Sequence, residues 1–232
     1  MTPRGTAKRV TRPEYAASRW TPEFAAAATT ELRRLDPVLG SAIGAIGPCA
    51  LTPEPRFFPL LVRIIVSQQI SVKAARSVGE RLRRLSGGRL TAAALSRLTV
   101  DELRSAGLPR ARAASIKNLA DAVASRRVRL AGLADATDAE IAALLTPLHG
   151  IGRWTVEMLL IFGLGRPDVF PENDLGVRKA IGDLYGHGPL PSPSVCRKVA
   201  ETWRPYRSIA TWYLWRHADR NGATLGLAKY PV

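Results

Sequence analysis

Helix signals dominate the pattern of apolar and polar positions along the chain. Apolar stretches open with Ser, Thr or Asp, which are good helix N-caps, and the connections between them carry Gly or Pro. The first stretch begins at Thr21-Pro22, an N-cap followed by proline at the first helical position. Alternation typical of strands is scarce. The pattern therefore predicts an all-α protein of about a dozen short helices.

Eleven further helices are predicted after the one that follows Thr21. They span 37–46, 57–69, 72–85, 91–98, 100–106, 110–125, 138–145, 155–164, 175–185, 193–202 and 206–220. Because no low-complexity linker divides the chain, a two-lobed arrangement with a cleft must come from helix packing. We expect residues 21–232 to form this core, with the N- and C-terminal helices together. Residues 1–20 are basic and aperiodic, which predicts a flexible arm of unassigned role.

Charge is the unusual property of the composition. The 232 residues are 46% hydrophobic, which is ordinary for a globular protein, but carry a formal net charge of +15. From Lys73 to Arg129, fourteen Lys or Arg residues stand against four acidic ones, a net charge of +10. Positive potential of this size favours a polyanion, with nucleic acid the first candidate and salt-dependent binding expected. A solvated basic face is the alternative.

Cys49 and Cys196 are too few for a disulfide framework or a four-cysteine cluster. Apolar runs such as that from Phe57 to Val66 are too short to span a bilayer, and the N-terminus lacks the apolar core of a signal peptide. We therefore expect a soluble cytoplasmic protein without an iron–sulfur or zinc site and without a membrane partner.

The segment from His149 to Lys179 contains the candidate chemistry. Gly150 and Gly152 lie two residues apart before a predicted helix, and glycines let main-chain N–H groups approach an anion closely. The dipole of the following helix would add to this phosphate-binding turn, although a tight interhelical turn is the alternative. Asp174 immediately precedes another helix, where the dipole favours an ionised carboxylate. Such a carboxylate could stabilise positive charge on a sugar, or simply cap the helix, or do both.

Four blocks, in order, resemble the helix-hairpin-helix DNA glycosylase superfamily, specifically its monofunctional 3-methyladenine DNA glycosylase II branch. They are IVSQQIS at 65–71, GIGRWTVEML at 150–159, DVFPENDLGVRK at 168–179, and Arg207 to Ala210 leading to Trp215. The resemblance covers about residues 55–220. It implies two helical lobes, a hairpin at about 146–154 and an interlobe active-site cleft, without the β-rich N-terminal domain of some members.

The function implied is that of a monomeric enzyme that flips an alkylated purine, such as 3-methyladenine, out of double-stranded DNA. The enzyme then hydrolyses the N-glycosidic bond and leaves an abasic site, with no cofactor required. One alternative is a glycosylase for neutral lesions such as hypoxanthine, ethenoadenine or uracil. Another is a non-catalytic helix-hairpin-helix protein that only binds DNA.

Residue roles follow from the same resemblance. Asp174 matches the catalytic aspartate, which stabilises an oxocarbenium-like sugar. Trp154 stands where bifunctional relatives carry a lysine nucleophile, so no Schiff base and no strand cleavage are expected. Trp154 and Trp215 match base-pocket positions, and an indole face suits a cationic base. Met158 and Leu175 stand where relatives can place aromatic residues, which predicts a wider pocket.

The remaining implied residues contact DNA. Gln69 is the candidate wedge that fills the gap left by the flipped base, with Gln68 as its neighbour; an exposed helix end is the alternative. The hairpin contacts are assigned to His149, which replaces a usual proline, and to Gly150, Ile151, Gly152 and Thr155. The backbone carbonyls of Thr146, Leu148 and Ile151 match a site that holds a monovalent or calcium-like cation.

Overall fold

The computed structural model describes residues 20–68 and 72–220, and the regular elements in these ranges are helices. The helices are Pro22–Leu35 (α1), Pro37–Ile46 (α2), Phe57–Ser67 (α3), Val72–Leu85 (α4), Ala92–Ser96 (α5), Val100–Ser105 (α6), Arg110–Ala124 (α7), Asp138–Leu145 (α8), Arg153–Phe162 (α9), Leu175–Tyr185 (α10), Pro193–Ala200 (α11) and Arg207–Arg220 (α12). Within the described ranges no strand occurs, so the all-α prediction is confirmed. Gln69 and all of the predicted N-terminal arm except Trp20 lie outside those ranges.

Local capping explains where many helices begin. The hydroxyl of Thr21 accepts a hydrogen bond from the Phe24 amide, and Thr99 forms a capping box with Glu102. Asp36 caps α2 and also accepts hydrogen bonds from the Tyr185 hydroxyl at 2.6 Å and the Trp203 indole at 2.8 Å. One buried carboxylate therefore joins the N-terminal helices to the C-terminal part of the chain.

The helices form two packed groups with α9 between them. Helix α3 packs against α4 and α7, while α12 packs against α1, α2 and α10. Helix α9 contacts α3 on one side, and its Phe162 stacks on Trp215 of α12 on the other. Eight of its ten positions, from Thr155 to Phe162, are buried. This central helix is therefore the element that positions the candidate site between the two groups.

Among the described helices, none has the length and apolar character that a membrane-spanning helix requires.

Several predicted helix ends differ from the structure by one or two residues, and two of them concern the candidate site. The helix predicted at 155–164 begins earlier, at Arg153, because Gly152 adopts extended backbone angles and serves as its N-cap. The helix predicted at 57–69 ends at Ser67, because the ψ angle of Gln68 is 120° and leaves the helical region. Both shifts fall next to the candidate site.

Candidate active site

Asp174 lies buried at the N-terminus of α10, with 4% of its surface exposed. Its Oδ1 accepts a hydrogen bond from the Val177 amide at 2.9 Å, which is an N-cap interaction. The preceding loop is fixed by α12: the Ser208 hydroxyl donates to the Arg166 carbonyl at 2.6 Å and accepts from the Val169 amide at 3.0 Å. The carboxylate is thus held in place by local capping and by long-range contacts.

Two indole groups complete the surroundings of this carboxylate. The Trp154 Nε1 donates to Asp174 Oδ2 at 2.8 Å, and the Trp215 Nε1 donates to Asp174 Oδ1 at 2.9 Å. The structure therefore brings together three residues that the sequence analysis assigned to the site. With the Val177 amide, three N–H donors and the positive end of α10 stabilise negative charge on Asp174.

The two tryptophans differ in exposure. Trp215 is 1% exposed, and its ring stacks on Phe162 with a centroid separation of 5.4 Å and an interplanar angle of 17°. Its face is therefore covered in this structure, and the contact that it makes with the site is the hydrogen bond to Asp174. Trp154 is half-buried. Of the two indoles predicted to stack on a base, Trp154 is the more exposed.

The other two predicted pocket residues differ in exposure. Met158, one turn after Trp154 on α9, is 0% exposed and belongs to the hydrophobic core. The expectation that it widens an open pocket is therefore wrong for this structure, because its side of α9 packs inward. Leu175 is 41% exposed at the first position of α10, directly beside Asp174. An exposed leucine there provides apolar surface next to the carboxylate.

The hairpin joins α8 to α9 through residues 146–152. Gly150 has φ of +78°, and a Cβ at this position would lie 1.9 Å from the Ser115 hydroxyl oxygen, so only glycine fits. Gly152 has φ of −96°, and a Cβ there would meet nothing within 4 Å. Unlike Gly150, Gly152 therefore has backbone angles that other residues also adopt. Its lack of a side chain instead leaves open the approach to the first amides of α9, which have no partner within the helix.

Side chains from two other helices hold the hairpin. The Gln68 carboxamide at the end of α3 donates to the Thr155 hydroxyl at 3.2 Å and lies 3.5 Å from the Gly150 carbonyl oxygen. The Asn118 Oδ1 on α7 accepts from the His149 amide at 3.1 Å. Asn118 was missed by the sequence analysis, because it lies 31 residues before His149 and only the packing of α7 brings the two together.

Charged residues next to Asp174 were also missed. Glu157 and Glu172 are both buried, and Arg153 lies 2.8 Å from a Glu157 oxygen and 3.7 Å from a Glu172 oxygen. Burial raises the pKa of Glu157 to about 7, although Arg153 opposes the shift. A hydrogen bond from Arg197 lowers the pKa of Glu172. These groups line a cavity of about 590 Å³ whose lining does not include Asp174.

Across residues 20–68 and 72–220, no group of three His, Cys, Asp or Glu residues is placed to hold a metal ion. The predicted cation contacts at Thr146, Leu148 and Ile151 are backbone carbonyls of the hairpin. The Leu148 carbonyl accepts from the Ile151 amide at 3.1 Å, which leaves it a second lone pair.

The helical fold and the hairpin define the class of protein. A model of the HhH-GPD superfamily of base excision DNA repair proteins matches residues 62–205. The chain belongs to this superfamily, which confirms the resemblance found in the sequence motifs.

Proteins similar to this chain include two named relatives and one of solved structure. DNA-3-methyladenine glycosylase 1 of Schizosaccharomyces pombe is 35% identical over 159 residues, covering 67% of this chain and 70% of that protein. DNA-3-methyladenine glycosylase 2 of Escherichia coli is 28% identical over 194 residues, covering 77% and 65%. The structure of the S. pombe 3-methyladenine DNA glycosylase in complex with abasic DNA superposes with a TM-score of 0.76 at 30% identity, covering 83% and 97%.

Proposed function

We propose that this protein is a monofunctional DNA glycosylase that excises alkylated purines, such as 3-methyladenine, from double-stranded DNA. The observation that carries the proposal is the carboxylate of Asp174, buried at a helix N-terminus and held by the Trp154 and Trp215 indoles. A fixed negative charge of this kind suits a reaction in which positive charge develops on a sugar. The names of the relatives point to the same chemistry.

In the proposed reaction, the N-glycosidic bond breaks and the base departs with the bonding electron pair. Asp174 stabilises the oxocarbenium-like sugar that forms, and water then adds to the sugar carbon to leave an abasic site. An alkylated base is already cationic, so it leaves as a neutral molecule without needing a proton. The indole at position 154 offers no amine for a Schiff base, and the DNA strand therefore stays intact.

DNA binding rests on the hairpin and on the basic surface. Gly152 caps α9 without a side-chain hydrogen bond to its first amides, and anions bind readily at such helix ends. The net charge of +15 supports salt-dependent attraction to a polyanion such as double-stranded DNA. Gln68 lies against the hairpin, so its sequence neighbour Gln69 is the wedge of this proposal. We also propose that the enzyme is a monomer and that it acts on DNA in the cytoplasm.

A hairpin cation is a secondary part of the proposal. Backbone carbonyls are oxygen ligands of the kind that hard cations prefer, and Thr146, Leu148 and Ile151 all belong to one turn. Such an ion would sit between the hairpin and a DNA phosphate. The chemistry at Asp174 does not depend on it.

The test is base release from duplexes that contain 3-methyladenine or hypoxanthine, measured with excess enzyme. Wild type should release 3-methyladenine in preference, and Asp174→Asn should lower the rate at least about 100-fold. Asp101→Asn, which changes an exposed carboxylate on α6, is the matched control and should behave as wild type. Equal release by Asp174→Asn and wild type would exclude the assigned role of Asp174. Preferential release of hypoxanthine would favour the neutral-lesion alternative, and tight binding without any release would favour the non-catalytic one.

A further inference from the structure

Two side chains of helix α7 contact the hairpin. Ser115 and Asn118 lie three residues apart on α7 and therefore on the same face of that helix. The Ser115 hydroxyl occupies the space where a Cβ of residue 150 would be, and the Asn118 Oδ1 accepts from the His149 amide at 3.1 Å. One residue of α7 thus shapes the turn by contact, and the other fixes it by a hydrogen bond.

The hydrogen bond to Asn118 determines how a whole peptide group is oriented. Because the peptide unit is planar and trans, the His149 N–H and the Leu148 carbonyl point in opposite directions. Holding the N–H against α7 directs the Leu148 carbonyl away from α7, where it accepts from the Ile151 amide at 3.1 Å. The orientation of the turn that leads into α9 therefore depends on a side chain outside the hairpin.

We infer that Asn118 is a positioning residue for DNA binding, which sets the hairpin backbone in the geometry that receives a DNA phosphate. This inference rests on the proposed function. Asn118 acts through His149 and does not touch the reacting atoms. Its loss should therefore weaken DNA affinity while leaving the rate of base release unchanged at saturating enzyme.

The test compares Asn118→Leu, which keeps the size but removes the acceptor, with wild type. Affinity is measured on a duplex that carries a stable abasic-site analogue, and base release is measured with saturating enzyme. The dissociation constant of Asn118→Leu should rise by roughly 2- to 10-fold, the effect of one lost hydrogen bond. Val128→Ala, which opens a small cavity at a buried residue beyond α7, is the stability-matched control and should lower the thermal midpoint without changing affinity.

Amide hydrogen exchange on the free protein gives a readout that does not depend on DNA. The amides of His149 and Ile151 should exchange faster in Asn118→Leu than in wild type or in Val128→Ala. Asn118→Asp keeps the acceptor oxygen and should restore protection, even if its added charge weakens DNA binding. Unchanged affinity and unchanged exchange in Asn118→Leu would overturn the inference while wild type still releases base. If wild type releases no base, the proposed function fails instead.

Discussion

The indole nitrogen of Trp154 lies 2.8 Å from Oδ2 of Asp174. Trp154 was predicted to replace a lysine nucleophile and to offer an aromatic face to the base. This distance adds a third role, that of a hydrogen-bond donor to Asp174. Its N–H is a charge-assisted hydrogen-bond donor, and such bonds are stronger than those between neutral groups. The residue that excludes a Schiff base therefore also orients the carboxylate.

Trp154→Phe should lower the rate of base release while preserving the fold. Phenylalanine keeps an aromatic face but has no N–H, and a hydrogen bond to a charged group contributes about 1.5–3 kcal/mol. We expect the single-turnover rate to fall roughly tenfold or more. The rate is measured with excess enzyme on an alkylated duplex, so that weaker DNA binding does not affect it.

Trp212→Phe is the matched control for this substitution. Trp212 is a buried tryptophan of α12 whose ring contacts Tyr213 and Arg216. Its substitution should change stability but leave the rate close to that of wild type. If Trp154→Phe and Trp212→Phe release base equally fast, the hydrogen bond from Trp154 has no function in the reaction.

Local sequence signals were sufficient for most helix boundaries. Helix α10 runs from Leu175 to Tyr185 as predicted, because Asp174 caps its start and Gly186 ends it with φ of +68°. Helix α9 begins two residues before its predicted start, because Gly152 caps it without a side chain. A helix start that is capped without a side chain is difficult to predict from sequence.

In the candidate site, the sequence identified key residues but not the contacts between them. Asp174, Trp154 and Trp215 were identified by type and order, but their mutual hydrogen bonds span 20 and 41 residues and depend on helix packing. The burial of Met158 likewise depends on which side of α9 faces the hydrophobic core. Asn118 belongs to a helix whose contact with the hairpin exists only in the folded protein. Sequence patterns therefore identify candidate catalytic residues more readily than the residues that hold them in position.

The two hairpin glycines should respond differently to alanine. Gly150→Ala places a Cβ 1.9 Å from the Ser115 oxygen at a residue with φ of +78°. The positive φ alone costs roughly 1–2 kcal/mol, and the clash adds to it. We expect a lower free energy of unfolding and much weaker DNA binding, measured by urea denaturation and by titration with labelled duplex.

Gly152→Ala provides the comparison, because its φ of −96° is ordinary and no atom lies within 4 Å of an added Cβ. Its free energy of unfolding should stay within about 1 kcal/mol of wild type. Weaker DNA binding by this stable variant would indicate that the phosphate approaches position 152 closely. Similar destabilisation by both substitutions would contradict the geometry described for the turn.

The buried Glu157 should make stability depend on pH with a defined sign. Its pKa is raised from 4.5 to about 7 in the folded protein, so the folded state binds more protons than the unfolded chain between these values. The free energy of unfolding therefore falls as pH rises through this window, and the cost is nearly complete about one pH unit above the folded pKa. Glutamine cannot ionise and avoids the cost. From pH 5 to pH 8, Glu157→Gln should gain roughly 2.5 kcal/mol relative to wild type.

Urea denaturation of both proteins at several pH values measures this difference directly, since other titrating groups cancel between them. Glu102→Gln is the control, because hydrogen bonds with Thr99 lower the pKa of Glu102 below 4.5. The stabilisation from Glu102 is therefore complete above about pH 5, and its variant should differ from wild type by a constant amount up to pH 8. If the Glu157→Gln difference is equally constant, then Glu157 is ionised throughout this range, and its ion pair with Arg153 outweighs burial.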